Sequence, residues 1–107
     1  MAERGTGNDD AAETAEMRRL RKRIDALDRR IVGLLNERAE LGREVGREKV
    51  AGGRRAIRDA EREREVLLRV TMANTGPLPQ ADLLAIYRRL IAATRGLEAR
   101  DRERKPR

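Results

Sequence analysis

Five polar side chains occupy positions where a helical protein usually carries leucine. The chain contains three segments with apolar residues at spacings of three and four, the pattern of an amphipathic helix. Two cations, two carboxylates and a hydroxyl interrupt these apolar stripes: Arg38, Lys49, Glu63, Glu98 and Thr94. A buried charge is costly unless it is paired or faces a polar ligand. The five residues therefore predict a buried site for a small anionic molecule.

Each of the five residues also has a purely structural explanation. Arg38 could form a buried ion pair that fixes helix register, and Lys49 could lie along apolar surface with its ammonium in water. Glu63 and Glu98 could be solvated helix charges, and Thr94 could hydrogen-bond to the preceding turn. Their occurrence together on the inward faces of three helices favours the site.

The composition excludes several classes of chemistry. The 107 residues include no Cys and no His, which removes disulfides, thiol nucleophiles, the commonest general base and the commonest metal ligands. The acidic residues lack metal-ligand spacing and no Gly-rich phosphate loop is present, so we expect no metal and no cofactor. Tyr87 is the single aromatic residue, whereas surfaces that bind single-stranded nucleic acid usually stack bases on several aromatics.

The charge balance favours an anionic partner. The net charge is +7, and residues 17–100 carry 21 bases and 12 acids, or +9. The alternative is an arginine-rich surface that is simply solvated. No apolar run approaches the length of a membrane span and no signal-peptide core is present, so we expect a cytoplasmic protein without a membrane partner.

The pattern along the chain predicts one helical domain. We expect a disordered leader over residues 1–16, the helical domain over 17–100 and a charged tail over 101–107. The predicted helices run from Met17 to Val50, from the N-cap Asp59 to about Asn74, and from Pro79 to about Arg100. Gly52 and Gly53 end the first, and Gly76 and Pro77 follow the second.

The length of the first helix predicts a dimer. At 1.5 Å per residue it measures roughly 50 Å, whereas a compact domain of this size is about 25–30 Å across. The helix cannot be covered by its own chain and must pack against a second copy. The predicted fold class is therefore all-α, with three helices per chain, one of them very long, intertwined as a homodimer.

Three blocks of sequence resemble all-α, AroQ-type chorismate mutases. The first helix of that family resembles residues 20–49, LRKRIDALDRRIVGLLNERAELGREVGREK; the second resembles residues 58–67, RDAEREREVL; the third resembles residues 86–95, IYRRLIAATR. The resemblance implies an isomerase that converts chorismate to prephenate in phenylalanine and tyrosine biosynthesis. It also implies a homodimer with two shared active sites, chorismate as the small-molecule partner, and no nucleic-acid partner.

Carried over position by position, the resemblance implies three catalytic residues. Arg38 matches an arginine that binds a substrate carboxylate, and Lys49 matches a lysine at a carboxylate and the ether oxygen. Glu98 matches a position that is glutamine in some members and glutamate in others. The implied substrate-binding residues are Arg21, which reaches into the partner's site, Asp59 and Glu63 near the substrate hydroxyl, and Arg62, Thr94, Val45 and Ile91.

Two other functions fit parts of this pattern. An isochorismate-pyruvate lyase of the same fold would use a similar anion pocket, and sequence alone separates the two activities poorly. A basic helical module that binds nucleic acid or another coiled coil would explain the charge excess. It would not explain why the charges interrupt the apolar seam, since phosphate contacts belong on exposed faces.

Overall fold

Three helices make up the computed structural model, which describes residues 12–104 and contains no strand in that range. Helix α1 spans Ala15–Ala51, α2 spans Ala60–Ala73 and α3 spans Gln80–Arg104. The predicted all-α class with one very long helix is confirmed. The chain divides into two compact units, Met1–Leu34 and Leu35–Arg107, and α1 contributes to both. Within residues 12–104, no helix combines the length and apolar character needed to cross a membrane.

Helix α1 begins two residues before the predicted Met17. Thr14 caps it: the hydroxyl oxygen of Thr14 accepts a hydrogen bond from the backbone N–H of Met17 at 3.0 Å. Apolar periodicity starts only after this cap, which is why the stripe alone placed the start too late. Residues 1–11 of the predicted leader lie outside the described residues, and the leader stays a prediction.

Helix α1 ends at the predicted glycine pair. Gly53 has φ +83, a left-handed conformation that glycine adopts without steric cost. The N–H of Gly53 donates to the carbonyl of Val50, and the N–H of Arg54 donates to that of Lys49 at 2.8 Å. This pair of bonds is a Schellman motif, which satisfies two of the last helical carbonyls and turns the chain toward α2.

Helix α2 begins at the predicted N-cap and ends where the sequence predicted. Asp59 is the N-cap and Asn74 the C-cap. The Asn74 amide donates to the Leu78 carbonyl and to Gln80 Oε1, each at 3.0 Å, and its Oδ1 accepts from the N–H of Gly76 at 3.3 Å. These bonds hold the short turn that brings α3 back along α2.

Helix α3 differs from the prediction at both ends. Pro79 precedes the first helical residue, Gln80, instead of occupying the first turn, and its carbonyl accepts from the N–H of Leu83. The helix continues past Arg100 to Arg104, into the segment predicted as a tail. The carboxylate of Asp101 there accepts two bonds from the Arg43 guanidinium of α1, each 2.9 Å long. Residues 105–107 lie outside the described residues.

The second unit has a very small core. Ile91 is the buried apolar side chain, Glu98 the buried charged one, and Gly46 is buried where α1 passes α3. No described side chain is completely inaccessible to solvent. In the first unit the predicted stripe of α1 is exposed along its length: Leu20, Ile24, Leu27, Ile31 and Leu34.

Candidate active site

A cavity of about 310 Å³ in the second unit brings together residues from all three helices. Its walls contain nine of the ten sequence-predicted site residues: Arg38, Val45, Lys49, Asp59, Arg62, Glu63, Ile91, Thr94 and Glu98. Leu41, Gly42, Ile57, Val66 and Arg95 complete the lining. Four cations and three carboxylates stand in these walls, which leaves a formal balance of +1.

Arg38 and Lys49 reach the cavity from the C-terminal part of α1. The Arg38 guanidinium lies over the Tyr87 ring, 5.6 Å from its centroid, a cation–π contact that orients it without a carboxylate. No carboxylate within residues 12–104 pairs with Arg38, so the buried ion pair considered above is absent from that range. Its donors can therefore serve an anionic ligand.

Lys49 is largely buried, with 11 % of its side chain exposed. Its Nζ donates to the Ile57 carbonyl at 2.7 Å and lies 3.8 Å from Glu98 Oε1. An ammonium has three N–H donors, so two remain for other partners in the cavity. The side chain does not extend into water, in contrast to the solvated alternative.

Glu98 is buried between α1 and α3, with 6 % of the residue exposed. Its Oε1 accepts no hydrogen bond from the described residues. The carboxyl stem lies against Gly46: a Cβ at that position would be 2.9 Å from Glu98 Cγ. The absence of a side chain at Gly46 therefore makes the room that Glu98 occupies, and a solvated helix-end role for Glu98 is excluded.

Asp59 caps the start of α2, and both Asp59 and Arg62 also line the cavity. Asp59 Oδ1 accepts from the backbone N–H of Arg62 at 3.1 Å. This bond holds the pKa of the Asp59 carboxyl below its ordinary value of 3.8, helped by Arg54, although burial acts in the opposite direction. The Arg62 guanidinium is paired with Glu65 at 2.8 Å on the exposed side of α2.

Glu63 is held between two guanidinium groups. Arg58 Nε donates to Glu63 Oε1 at 3.2 Å, and Arg95 Nη1 donates to Glu63 Oε2. Only 16 % of the Glu63 side chain is exposed, so it is not a solvated helix charge. Arg95 was missed at the sequence level because it lies one position beyond the apolar seam of α3.

Thr94 makes the hydrogen bond to the preceding turn that its purely structural explanation requires. Its hydroxyl donates to the Leu90 carbonyl one turn earlier, at 3.1 Å. Its methyl group packs against Gly42, where an added Cβ would clash with it. The hydroxyl can therefore only accept from a ligand. Val45 and Ile91 supply apolar wall from α1 and α3.

Arg21 is the one predicted site residue that the cavity does not include. It lies in the first unit, and its guanidinium is 3.6 Å from Glu13 Oε1. The side chain is well exposed. Its predicted role in a partner's site stays a prediction.

Comparison with known proteins identifies the family. The family model for chorismate mutase type II matches residues 20–99, which includes every lining residue of the cavity. The chain belongs to the chorismate mutase type II family. This family consists of isomerases, so the predicted enzyme class is confirmed at the level of the family.

Curated relatives of this chorismate mutase domain are parts of longer proteins. The bifunctional chorismate mutase/prephenate dehydratase of Aquifex aeolicus is 40% identical over 87 residues, 78% of this chain and 24% of the relative. That of Stutzerimonas stutzeri is 35% identical over 91 residues, 81% of this chain and 25% of the relative. The chain thus spans about a quarter of the length of these relatives.

The fold also matches a solved chorismate mutase, and the match covers nearly the whole length of the solved chain. Form II of the chorismate mutase from Thermus thermophilus superposes with a TM-score of 0.74 at 33% identity. The match covers 86% of this chain and 99% of the Thermus chain. The three-helix chorismate mutase fold predicted from the sequence is therefore confirmed.

Proposed function

We propose that this chain is a chorismate mutase that converts chorismate to prephenate for phenylalanine and tyrosine biosynthesis. One observation carries the proposal: Arg38, Lys49, Glu63 and Glu98 converge from three helices on one cavity in a chain of the chorismate mutase family. A volume of about 310 Å³ lies at the lower end of small-molecule sites and suits a ligand of this size.

The reaction suits the groups in the cavity. Chorismate is a dianion, so guanidinium and ammonium groups bind it through charge-assisted hydrogen bonds. The rearrangement is unimolecular and pericyclic, and it needs no nucleophile. The site must hold the folded conformer and stabilise the negative charge that develops on the ether oxygen as the C–O bond breaks. Arg38 would hold a carboxylate, and Lys49, with two N–H donors remaining, would face the ether oxygen.

Glu63 and Asp59 would recognise the substrate hydroxyl. Both carboxylates line the cavity at the start of α2. The Glu63 side chain is 16% exposed and that of Asp59 is 34% exposed, so Glu63 is the more shielded acceptor for a ligand hydroxyl. Thr94 would line the cavity without donating to the substrate, since its hydroxyl proton is used within α3, and Val45 and Ile91 would pack against the substrate ring.

We further propose a homodimer with shared sites. The described residues bury one apolar side chain, Ile91, which is too small a core for an independent domain. In the second unit Leu41, Val45, Leu68 and Met72 are also exposed. A second copy would cover these surfaces and the stripe of α1. Arg21 of one chain would then supply a further cation to the partner's cavity and raise the formal balance there from +1 to +2, the complement of a dicarboxylate. The predicted cytoplasmic location stays a prediction.

Product analysis tests the proposed activity. The purified chain, treated with a chelator, is given chorismate or isochorismate, and the products are separated by chromatography. Prephenate from chorismate is the expected result. Release of pyruvate from isochorismate at a higher kcat/KM would identify a lyase instead. Failure to consume either compound, together with salt-dependent retention on DNA, would favour the basic binding module.

A further inference from the structure

Arg95 connects helix α3 to the carboxylate of Glu63 on α2. Its Nη1 donates to Glu63 Oε2, and its side chain lines the cavity with about a third of its surface exposed. Glu63 has a second partner, Arg58 Nε, at 3.2 Å from Oε1. Each carboxylate oxygen can accept more than one hydrogen bond, so both can still accept from a ligand.

The two arginines restrain Glu63 to different degrees. The Arg58 side chain is 66% exposed, and an ion pair in that setting is weakened by water and salt. Arg95 is half as exposed and comes from a different helix, so its contact fixes Glu63 relative to α3 as well as α2. The contact from Arg95 therefore carries more of the restraint on the carboxylate.

Arg95 also contributes to the positive charge of the cavity. With every acidic group ionised, the lining has four cations and three carboxylates, and without Arg95 the two numbers are equal. Loss of Arg95 would also leave Glu63 with the exposed Arg58 as its partner.

We propose that Arg95 is a positioning residue that orients the Glu63 carboxylate as the acceptor for the substrate hydroxyl. The inference rests on the proposed chorismate mutase function. Arg95 acts through Glu63 and not by contact with the substrate. Its removal should therefore weaken turnover only where Glu63 is present to be positioned.

A double-mutant cycle tests this inference. The variants are Arg95→Met, which keeps the aliphatic stem, Arg95→Lys, Glu63→Gln and the double variant Arg95→Met/Glu63→Gln. Arg88→Met removes an exposed arginine from the same helix and serves as the control. Arg95→Met should lower kcat/KM for chorismate roughly tenfold to a hundredfold, the range for one charge-assisted contact at a site. Arg95→Lys should recover most of this loss, and Arg88→Met should match the wild type.

The Glu63→Gln background separates positioning from direct contact. There Arg95→Met should change kcat/KM less than about twofold, because the group that Arg95 orients is already lost. An equal loss in both backgrounds would overturn the inference and make Arg95 a direct ligand of the substrate. If the wild type is active and Arg95→Met has the same kcat/KM, the inference is also overturned.

The stability of the same variants distinguishes this inference from the proposed function. If the wild type leaves chorismate unchanged, the proposed function fails and the positioning role fails with it. Urea unfolding of the four cycle members then reports whether the Arg95–Glu63 contact exists, as a coupling between the two changes. If the wild type is active, coupling in stability together with wild-type turnover by Arg95→Met would reduce Arg95 to a structural residue.

Discussion

The protonation state of the Glu98 carboxyl decides whether this group can assist the reaction. The group is buried, and Lys49 on α1 is its nearest cation at 3.8 Å. Arg47 and Arg102 line a smaller cavity on the other side of Glu98, and Asp101 there is engaged by Arg43. Only a protonated carboxyl can donate a hydrogen bond to the ether oxygen, whereas a carboxylate would repel the charge that develops there.

The Glu98→Gln variant tests this role. Glutamine donates an N–H without having to be protonated, so we expect Glu98→Gln to keep or raise kcat/KM for chorismate at neutral pH, whereas Glu98→Ala, which removes the donor, should lower it. Steady-state kinetics of the three proteins in one buffer provide the comparison. Equal kcat/KM for Glu98→Gln and Glu98→Ala would show that a donor at this position takes no part in the chemistry.

The site residues that interrupt an apolar stripe could be predicted from the sequence. Arg38, Lys49, Glu63 and Glu98 stand where apolar residues are expected, and the cavity contains all four. Thr94 was also noticed in this way, but its hydroxyl proved to be used within its own helix. Arg95 could not be found, because a cation beside a seam has the same pattern as a solvated one until its partner on another helix is known.

Glycines set the distance between α1 and α3. Gly42 faces Thr94 and Gly46 faces Glu98, and a Cβ at either position would press on those side chains. Gly33 lies on the same helix off the apolar stripe, and an added Cβ there would meet nothing within 4 Å. Substitution by alanine is therefore expected to have opposite effects on stability at Gly46 and at Gly33.

Gly46→Ala should destabilise the protein, and Gly33→Ala should stabilise it. The clash with the buried Glu98 stem costs up to about 3 kcal/mol, against the roughly 1 kcal/mol that alanine gains over glycine in a helix. Gly33→Ala obtains that gain without a clash. Urea unfolding of both variants measures the difference. A Gly46→Ala protein as stable as Gly33→Ala would show that α1 and α3 do not approach each other this closely.

The Arg43–Asp101 pair ties the end of α3 to α1. The bidentate hydrogen bonds from Arg43 hold the pKa of the Asp101 carboxyl below its ordinary value of 3.8. A carboxyl whose pKa is lower in the folded state contributes stability at pH values above 3.8, and this contribution is lost as the pH falls through the lowered pKa.

Asp101→Asn should therefore be less stable than the wild type at neutral pH. The difference between the two proteins should shrink as the pH falls below 3.8. Denaturant unfolding in neutral and acidic buffers measures it, and comparison of the two proteins cancels the titration of the other carboxyls. A difference that stays constant with pH would mean that the Arg43–Asp101 pair does not control the end of α3.

Helix ends marked by glycine, asparagine or aspartate were predicted accurately. Gly53 and the N-cap Asp59 have the predicted roles, and α2 ends next to Asn74 as predicted, because these ends use local chemistry that a sequence displays. The start of α1 and the end of α3 were misplaced by two and about four residues. Those ends depend on Thr14 in a segment without apolar periodicity and on a contact between distant residues, Arg43 and Asp101.

At the scale of the whole molecule, the small core makes the proposed dimer necessary for stability. The chain of 12.2 kDa should sediment at roughly twice that mass at micromolar concentration. Leu27→Asp, which places a charge on the exposed stripe of α1, should dissociate and unfold the protein, because an unpaired charge cannot be buried in the interface. Arg29→Asp, on the opposite face of that helix, should remain dimeric. A folded, fully active monomer would contradict the proposed dimer.

The most direct test of a shared chorismate mutase site is complementation between two inactive variants. Arg21→Ala and Arg38→Ala should each nearly abolish chorismate turnover, since each removes a charge-assisted contact to the dianion. After unfolding and refolding together, the mixture should recover about a quarter of the wild-type activity, because roughly half the dimers are mixed and each has one intact site. Mixed dimers that form, as shown by mass spectrometry of differently tagged chains, but stay inactive would contradict the account.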